Sequence, residues 1–387
     1  MEKVTKEDLL QLIHHDQGPC VSIYMPTHRI GEETKQDPIR LRNLLRAASE
    51  QLVSIGFRRP EAGDLLAEAN KLFANDSFWM HQGEGLAVFI APGFFRYFRE
   101  PYNYAEMLSV AERFHIKPLL QAFSGNGEFY VLALSQKQAK LHEATRDGMN
   151  EIPTPDVPQG VAEALKYDQP EEQLQFHTRA PRHQGSKREA IFHGHGVGID
   201  DTKENALRYS QIVDKTLQKY LKQKKNQPMV LAGVNSLLSI FREANTYPNV
   251  ISNAVIGNAE ALRPKELHTK AWSAITSHLE GQKGELIEQI SEMVGNDRAS
   301  AEGQKIVAAA YGGRVDKLII SNRNQMLGKF DASTMQVSVN DTPQPGDIDL
   351  LDLAAVHTLR HNGGVYLIDA EHVLGASPIA ALFRYDI

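Results

Sequence analysis

"QPMVLAGVNSLLSIFREANTYPNVISNAVIG" runs from Gln227 to Gly257. Its first part, "PMVLAGV", is a short apolar run bounded by turn residues, the pattern of a buried strand. "NSLLSIFREA" then repeats its apolar residues at helical spacing, and "NVISNAVIG" returns to a strand. Strand, helix and strand in this order predict a partly parallel sheet with helices packed on it. The stretch therefore sets the fold class as α/β.

The flanks extend this unit in both directions. Upstream, "GEFYVLALSQKQAKLHEA" (Gly127–Ala144) follows a breaker cluster at Gly125 and Gly127 and reads as a hairpin joined by the polar "QKQ". From Pro153 to Arg188 the chain turns polar and irregular, with five prolines. One short helix is expected there, near Val161–Leu165. "HTRAPRHQGSKR" (177–188) holds four basic residues and no acid.

"AIFHGHGVGIDDTKENALRYSQIVDKTL" (Ala190–Leu217) comes next. Asp201 can accept from the first backbone N–H groups of a helix, and Glu204 can reach back to complete a capping box. Ala206, Leu207, Ser210, Val213, Leu217 and Leu221 then line one face. Lys215, Lys219, Lys222, Lys224 and Lys225 crowd the C-terminal half, where cations suit the helix dipole.

The outer segments read as separate domains. In 1–123, the helix Lys6–His14 precedes the apolar strand "PCVSIYMP". "DPIRLRNLLRAASEQLVSIG" is a helix that stops at Gly56, Pro60 starts another that reaches Phe73, and "GLAVFIAP" pairs with "FFRYFREP". Segment 124–260 forms the middle domain. In 261–387, "ELHTKAWSAITSHLEGQKGELIEQISEMVG" is a long helical pattern with a break expected near Gly281 and Gly284. "SAEGQKIVAAAYGGRVDKLIISN" and "DLLDLAAVHTLRHNGGVYLIDA" each give helix, tight turn and strand, and "IAALFRYDI" ends the chain as a last strand. This C-terminal part is expected to be an α/β sandwich.

Composition narrows the function classes. The 387 residues are 42% hydrophobic and 23% charged, an ordinary folded composition. No apolar run approaches the roughly 18 residues of a membrane span. The charged start lacks a signal-peptide core, so a cytoplasmic location and no membrane partner are expected. The single cysteine, Cys20, excludes an internal disulfide and a cysteine-based zinc cluster. Net charge is −2 over 1–123, zero over 124–260 and −4 over 261–387. Residues 177–225 alone carry eleven basic and five acidic side chains. One local basic block on an acidic chain points to a phosphate-facing surface, or to a solvated helix face of mixed charge.

The loop 193–198 allows several chemistries. His193 and His195 are two apart and can supply imidazole ligands, with Asp200, Asp201 or His183 as a third. The same residues would serve a metal-dependent hydrolase of RNA or a phosphoester. "GHGVG" before a helix superficially resembles a dinucleotide loop. Its glycines are spaced evenly, however, and Asp200 and Asp201 would repel an anion at the helix entrance. No G-x-x-x-x-G-K-[ST] and no G-x-S-x-G occurs, and Cys20 sits in an apolar strand as an inert thiol. No cofactor and no metal site is assigned.

Taken together, these motifs resemble a known family. "PCVSIYMPTH" followed by "DPIRLRNLLRAASEQL" is similar to the first domain of archaeal and eukaryotic peptide-release factors and their relative Pelota. "GEFYVLALSQKQAKLHEA" resembles the first hairpin of their middle domain. "GHGVGIDDTKENALRYSQIVDKTLQKYL" stands where release factors carry a Gly-Gly-Gln loop and a basic helix. "QPMVLAGVNSLLSIFREA" resembles the strand and helix that follow, and "GQKIVAAAYGGRVDKLIISN" the third domain. The chain thus resembles the bacterial archaeo-eukaryotic release factor family, its third subfamily in particular.

The resemblance implies three domains, an RNase H-like middle sheet with helices (α+β overall), and a C-terminal sandwich of the release-factor type. It also implies ribosome binding in a tRNA-like manner. No Gly-Gly-Gln occurs in the sequence. In release factors that glutamine's backbone amide stabilises charge developing at the ester. Without it, ribosome rescue or hibernation is expected rather than peptidyl-tRNA hydrolysis, and no enzymatic activity is expected. Arg179, Arg182, Lys187, Arg188, Arg208, Lys215, Lys219 and Lys222 would meet ribosomal RNA phosphates. His193, Gly194, His195, Gly196, Val197 and Gly198 would form a mobile functional loop. Arg29, Arg40 and Arg42 are further candidates in the first domain. A translational GTPase is a compatible partner, and DNA is not. A protein-interaction scaffold on the same fold is the remaining alternative.

Overall fold

The computed structural model describes residues 3–15, 18–124, 128–146, 148–166, 197–221 and 227–386. The chain forms two compact units, one of residues 1–125 and 283–387, the other of 126–282. Each is described by itself.

The first unit opens with α1 (Lys6–Ile13), held at its start by a capping box between Thr5 and Asp8. The elements β1 (Cys20–Pro26), α2 (Asp37–Ser54), α3 (Arg59–Leu65), α4 (Ala67–Phe73) and α5 (Asp76–Trp79) follow. The single helix expected from Pro60 to Phe73 is thus two, separated at Leu66. Then come β2 (Gly85–Ala91), β3 (Phe94–Glu100), β4 (Met107–Ala111) and α6 (Gln121–Ser124). The sheet is antiparallel, in the order β3-β2-β1-β4. Both faces are covered, which is why β1 and β2 read as unbroken apolar runs rather than alternating ones. Val21, Ile23, Met25, Leu86 and Val88 pack under α2–α5, while Cys20, Tyr24, Ala87 and Phe89 point into a second core.

The second unit holds β5 (Phe129–Leu134), β6 (Ala139–Thr145), β7 (Gly148–Ile152), α7 (Val161–Lys166), α8 (Val197–Leu221), β8 (Met229–Gly233), α9 (Asn235–Ala244) and β9 (Val250–Ile256). The strand order is β7-β6-β5-β8-β9. β5 runs parallel to β8, and β8 to β9; β6 alone is reversed. This mixed, RNase H-like order is the arrangement the βαβ stretch and the hairpin imply. One face carries Leu132, Leu141 and Leu231 against Tyr209, Val213 and Leu217 of α8 and Phe241 of α9. The other carries Val131, Val230 and Ile251 against Leu267, Ala271 and Ile275, from the first half of α10 (Pro264–Met293).

The C-terminal part of the first unit builds on β10 (Ala299–Ser300), α11 (Gly303–Tyr311), β11 (Val315–Ser321), β12 (Leu327–Asp331), β13 (Gln336–Val339), β14 (Ile348–Asp349), α12 (Leu350–Arg360), β15 (Gly364–Ile368) and β16 (Ile379–Phe383). β11 pairs in parallel with β15 and antiparallel with β16, in the order β10-β16-β11-β15. Buried residues of α11 and α12 (Ile306, Val307, Leu351, Val356) cover one face, and Leu286 and Ile290 of α10 the other. That is the expected sandwich. A further small sheet, β13-β12-β14, was not anticipated. No helix among the described residues is long and apolar enough to cross a membrane.

Candidate nucleic-acid interface

α8 is the element that carries the basic block. It begins at Val197, four residues before the expected cap at Asp201. Asp200 and Asp201 therefore lie within the helix rather than at its entrance. Val197 and Gly198, expected in a mobile loop, are its first residues. Glu204 Oε1 accepts from Arg208, one turn on, at 3.1 Å. Glu before Arg at this spacing is the favourable orientation for a helix pair.

The helix is anchored along its inner face. Tyr209, Val213, Leu217 and Leu221 are buried, with Ser210 and Asp214 beside them. Burial, more than the charge of Glu260, pushes the Tyr209 phenol well above its ordinary pKa, so the group stays neutral. Asp214 accepts from the Thr246 backbone N–H at 3.1 Å and its hydroxyl at 2.6 Å, fixing α8 to the end of α9. Arg242 of α9 donates to the Ile251 and Ser252 carbonyls at 2.8 Å each, which fixes α9 to β9. Gly160, before α7, has φ +83°, and a Cβ there would lie 2.5 Å from the Gln136 carbonyl oxygen. Only glycine fits that close approach.

The outer face presents the charges. Glu204, Arg208, Gln211, Lys215 and Lys219 are exposed and recur at steps of three and four, so they form one stripe. Arg208 is tied to Glu204. Lys219 pairs with Asp156 at 3.3 Å, a carboxylate in the loop after β7. Among the described residues, no carboxylate lies within ion-pair distance of Lys215. Sequence reading missed Asp156, since nothing in "PTPDVPQG" marks it as a partner of a lysine 63 residues away. Exposed pairs of this kind are each worth under about 1 kcal/mol and exchange readily for a phosphate oxygen. The stripe can therefore contact a polyanion at little cost.

The remaining candidates fall elsewhere. Arg179, Arg182, Lys187, Arg188, Lys222, His193, Gly194, His195 and Gly196 lie outside the described residues. In the first unit Arg29 is exposed, beside Ile30 with 90% of its surface accessible. Arg40 is not a free cation: it bonds Asp37 at 3.2 Å and Glu106 at 3.1 Å. Arg42 stacks over the Phe73 ring, its guanidinium carbon 3.7 Å from the centroid.

With this geometry in view, comparison with known proteins places the second unit. Residues 129–277 match the model of bacterial archaeo-eukaryotic release factor family 7. The match runs from the first residue of β5 into α10 and so falls within the second unit. The model that matches is that of family 7, where the third subfamily was expected. No curated protein matches the chain. Among solved structures, an archaeal translation termination factor, aRF1, is 14% identical, with 99% of each chain covered and a TM-score of 0.25. Archaeal Pelota, in a model of ribosome-bound Pelota and ABCE1, is 12% identical over 100% of this chain and 96% of that one, at 0.41. Archaeoglobus fulgidus Pelota is 12% identical over 100% and 94%, at 0.32. At these values the fold rests on the strand order itself. Over the unit that carries the basic helix, the chain is therefore similar to the bacterial archaeo-eukaryotic release factors.

Proposed function

We propose that the chain is a ribosome-binding, translation-associated factor of the rescue or hibernation type, acting in the cytoplasm. One observation carries the reading. The release factor family match coincides with the unit whose long helix turns a stripe of cations, Arg208, Lys215 and Lys219, to solvent. Ribosomal RNA phosphates are the proposed partner of that stripe, together with Arg179, Arg182, Lys187, Arg188 and Lys222 from the adjoining segments. Each phosphate neutralised releases condensed counterions, so affinity would fall steeply with salt and depend little on sequence. The segment from His193 to Gly198 is proposed to reach the reaction centre without hydrolysing an ester, as the sequence has no Gly-Gly-Gln. A translational GTPase is the proposed partner of the acidic C-terminal part. The three segments 1–123, 124–260 and 261–387 are proposed as the functional domains.

Charge reversal tests the face directly. Lys215→Glu with Lys219→Glu, and separately Arg182→Glu with Lys187→Glu, should each weaken association with bacterial ribosomes by roughly tenfold or more at low salt. Lys215 and Lys219 are exposed, so circular dichroism and melting temperature should stay those of the parent. Unchanged association in both double variants would remove the basis for the proposed interface.

A further inference from the structure

We propose that the first unit carries a docking groove for a partner protein's extended, basic peptide segment, which adds as a strand to the open edge of β4. The inference is independent of ribosome binding. β4 pairs with β1 and has no strand on its other side among the described residues. All five of its residues line a cavity of 230 Å³. The cavity is also lined by Leu327 and by Ile348–Asp349, from β12 and β14, and β14 is itself the last strand of its sheet. An open strand edge offers a row of backbone N–H and C=O groups, and another strand is the ligand that satisfies them. Edges not meant for pairing are guarded by lysine, proline or inward charge. β4, "MLSVA", has none of these.

Charge decides the kind of peptide. Asp347, Asp349 and Asp352 line the cavity, against one guanidinium, Arg113, and the imidazole of His115. Asp349 is already paired with Lys117 at 2.7 Å. Asp347 is half-buried and accepts from Asn340 and the Gln344 N–H, which leaves lone pairs on both oxygens. Asp352 accepts two backbone N–H bonds on Oδ1, from Ile116 and Lys117. Its Oδ2 lies 3.7 Å from His115 Nδ1 and 3.9 Å from Arg113 Nε, beyond hydrogen-bond reach. His115 is 6% exposed, and its Nε2 has no hydrogen-bond partner among the described residues. Buried polar atoms without a partner are costly. The carboxylates outnumber the cations, so a lysine or arginine projecting from the incoming strand is the complement.

The test uses the full chain and three fluorescein-labelled octapeptides. One alternates valine and lysine, one alternates valine and glutamate, and one is the lysine peptide with alternate backbone nitrogens methylated. The lysine peptide should bind saturably and slow amide hydrogen exchange at 107–111. The methylated form should bind at least roughly tenfold more weakly, and the glutamate form should not bind. Gln51 and Gln325 are exposed residues of the groove lining, so Gln51→Lys and Gln325→Lys alter its charge without touching a core. Together they should lower affinity for the lysine peptide by roughly tenfold. Four results would each overturn the proposal: no binding of the lysine peptide, equal binding of the methylated form, unchanged exchange at 107–111, or indifference to the two added lysines.

Discussion

Asp352 shows how much a single buried charge can organise. It sits in the first turn of α12, is 1% exposed, and accepts the backbone N–H groups of two consecutive residues far away in sequence, Ile116 and Lys117. Lys117 in turn donates to the Asn324 carbonyl at 2.7 Å and pairs with Asp349. Asp352→Ala would leave two buried N–H groups unpaired and remove the nearest carboxylate from Arg113. Burial already lowers the Arg113 pKa, and Asp352 opposes that shift more than any other group. A loss of about 3–5 kcal/mol in unfolding free energy is expected, measured by urea denaturation. A loss below 1 kcal/mol would show that water replaces the carboxylate. None of this was legible in the sequence. "DLLDLAAVHTLR" announces a helix, but no local pattern says that its second aspartate caps a distant loop. Cys20 was legible: a thiol inside "PCVSIYMP" had to be buried, and it is.

Elements were legible where their periodicity was long or their runs strongly apolar. β1, β2, β5, β8, β11 and the helices α2, α9, α11 and α12 stand where the sequence puts them. β4 and β7 were missed because each is a five-residue edge strand: "MLSVA" is too short an apolar run to mark a strand by itself, and "GMNEI" has little apolar signal. Tertiary pairing, not propensity, makes them strands. The start of α8 was misplaced because "DDTKE" carries a strong cap signature, while the helix continues upstream through Gly198. α10 shows the same competition between local signal and context. A break was expected at Gly281 and Gly284, yet the helix is continuous over 30 residues. Glycine costs about 1 kcal/mol in a helix interior, and that is not enough to stop a helix anchored by Ile275 before the pair and Ile290 after it. Neither glycine has a positive φ, and a Cβ at either meets nothing within 4 Å. Gly281→Ala with Gly284→Ala should therefore raise stability by about 1–2 kcal/mol, seen as a higher thermal midpoint. A lower midpoint would mean that the helix needs the glycines' freedom.

At the scale of the whole molecule, the sequence read as three segments and the contacts join two of them. Leu9, Tyr24, Phe89 and Phe114 belong to the same core as Ile306, Leu318, Leu351 and Phe383. Such a core between segments nearly 200 residues apart leaves no local trace, since each half reads as the buried face of its own sheet. The middle unit was more legible. Its hairpin, its βαβ stretch and its basic helix lie in one run of chain, and there the family match falls. The central claim is that this unit brings the protein to the ribosome through phosphate contacts. The most direct test is co-sedimentation of the full chain with bacterial ribosomes across a salt series. With the three cations of the α8 stripe, Arg208, Lys215 and Lys219, each neutralising one phosphate, log affinity should fall against log salt with a slope of roughly −2 to −3, or steeper as the other basic residues join. Saturable binding with that slope is the predicted result. Absence of binding at low salt, to empty and to stalled ribosomes alike, would contradict the account.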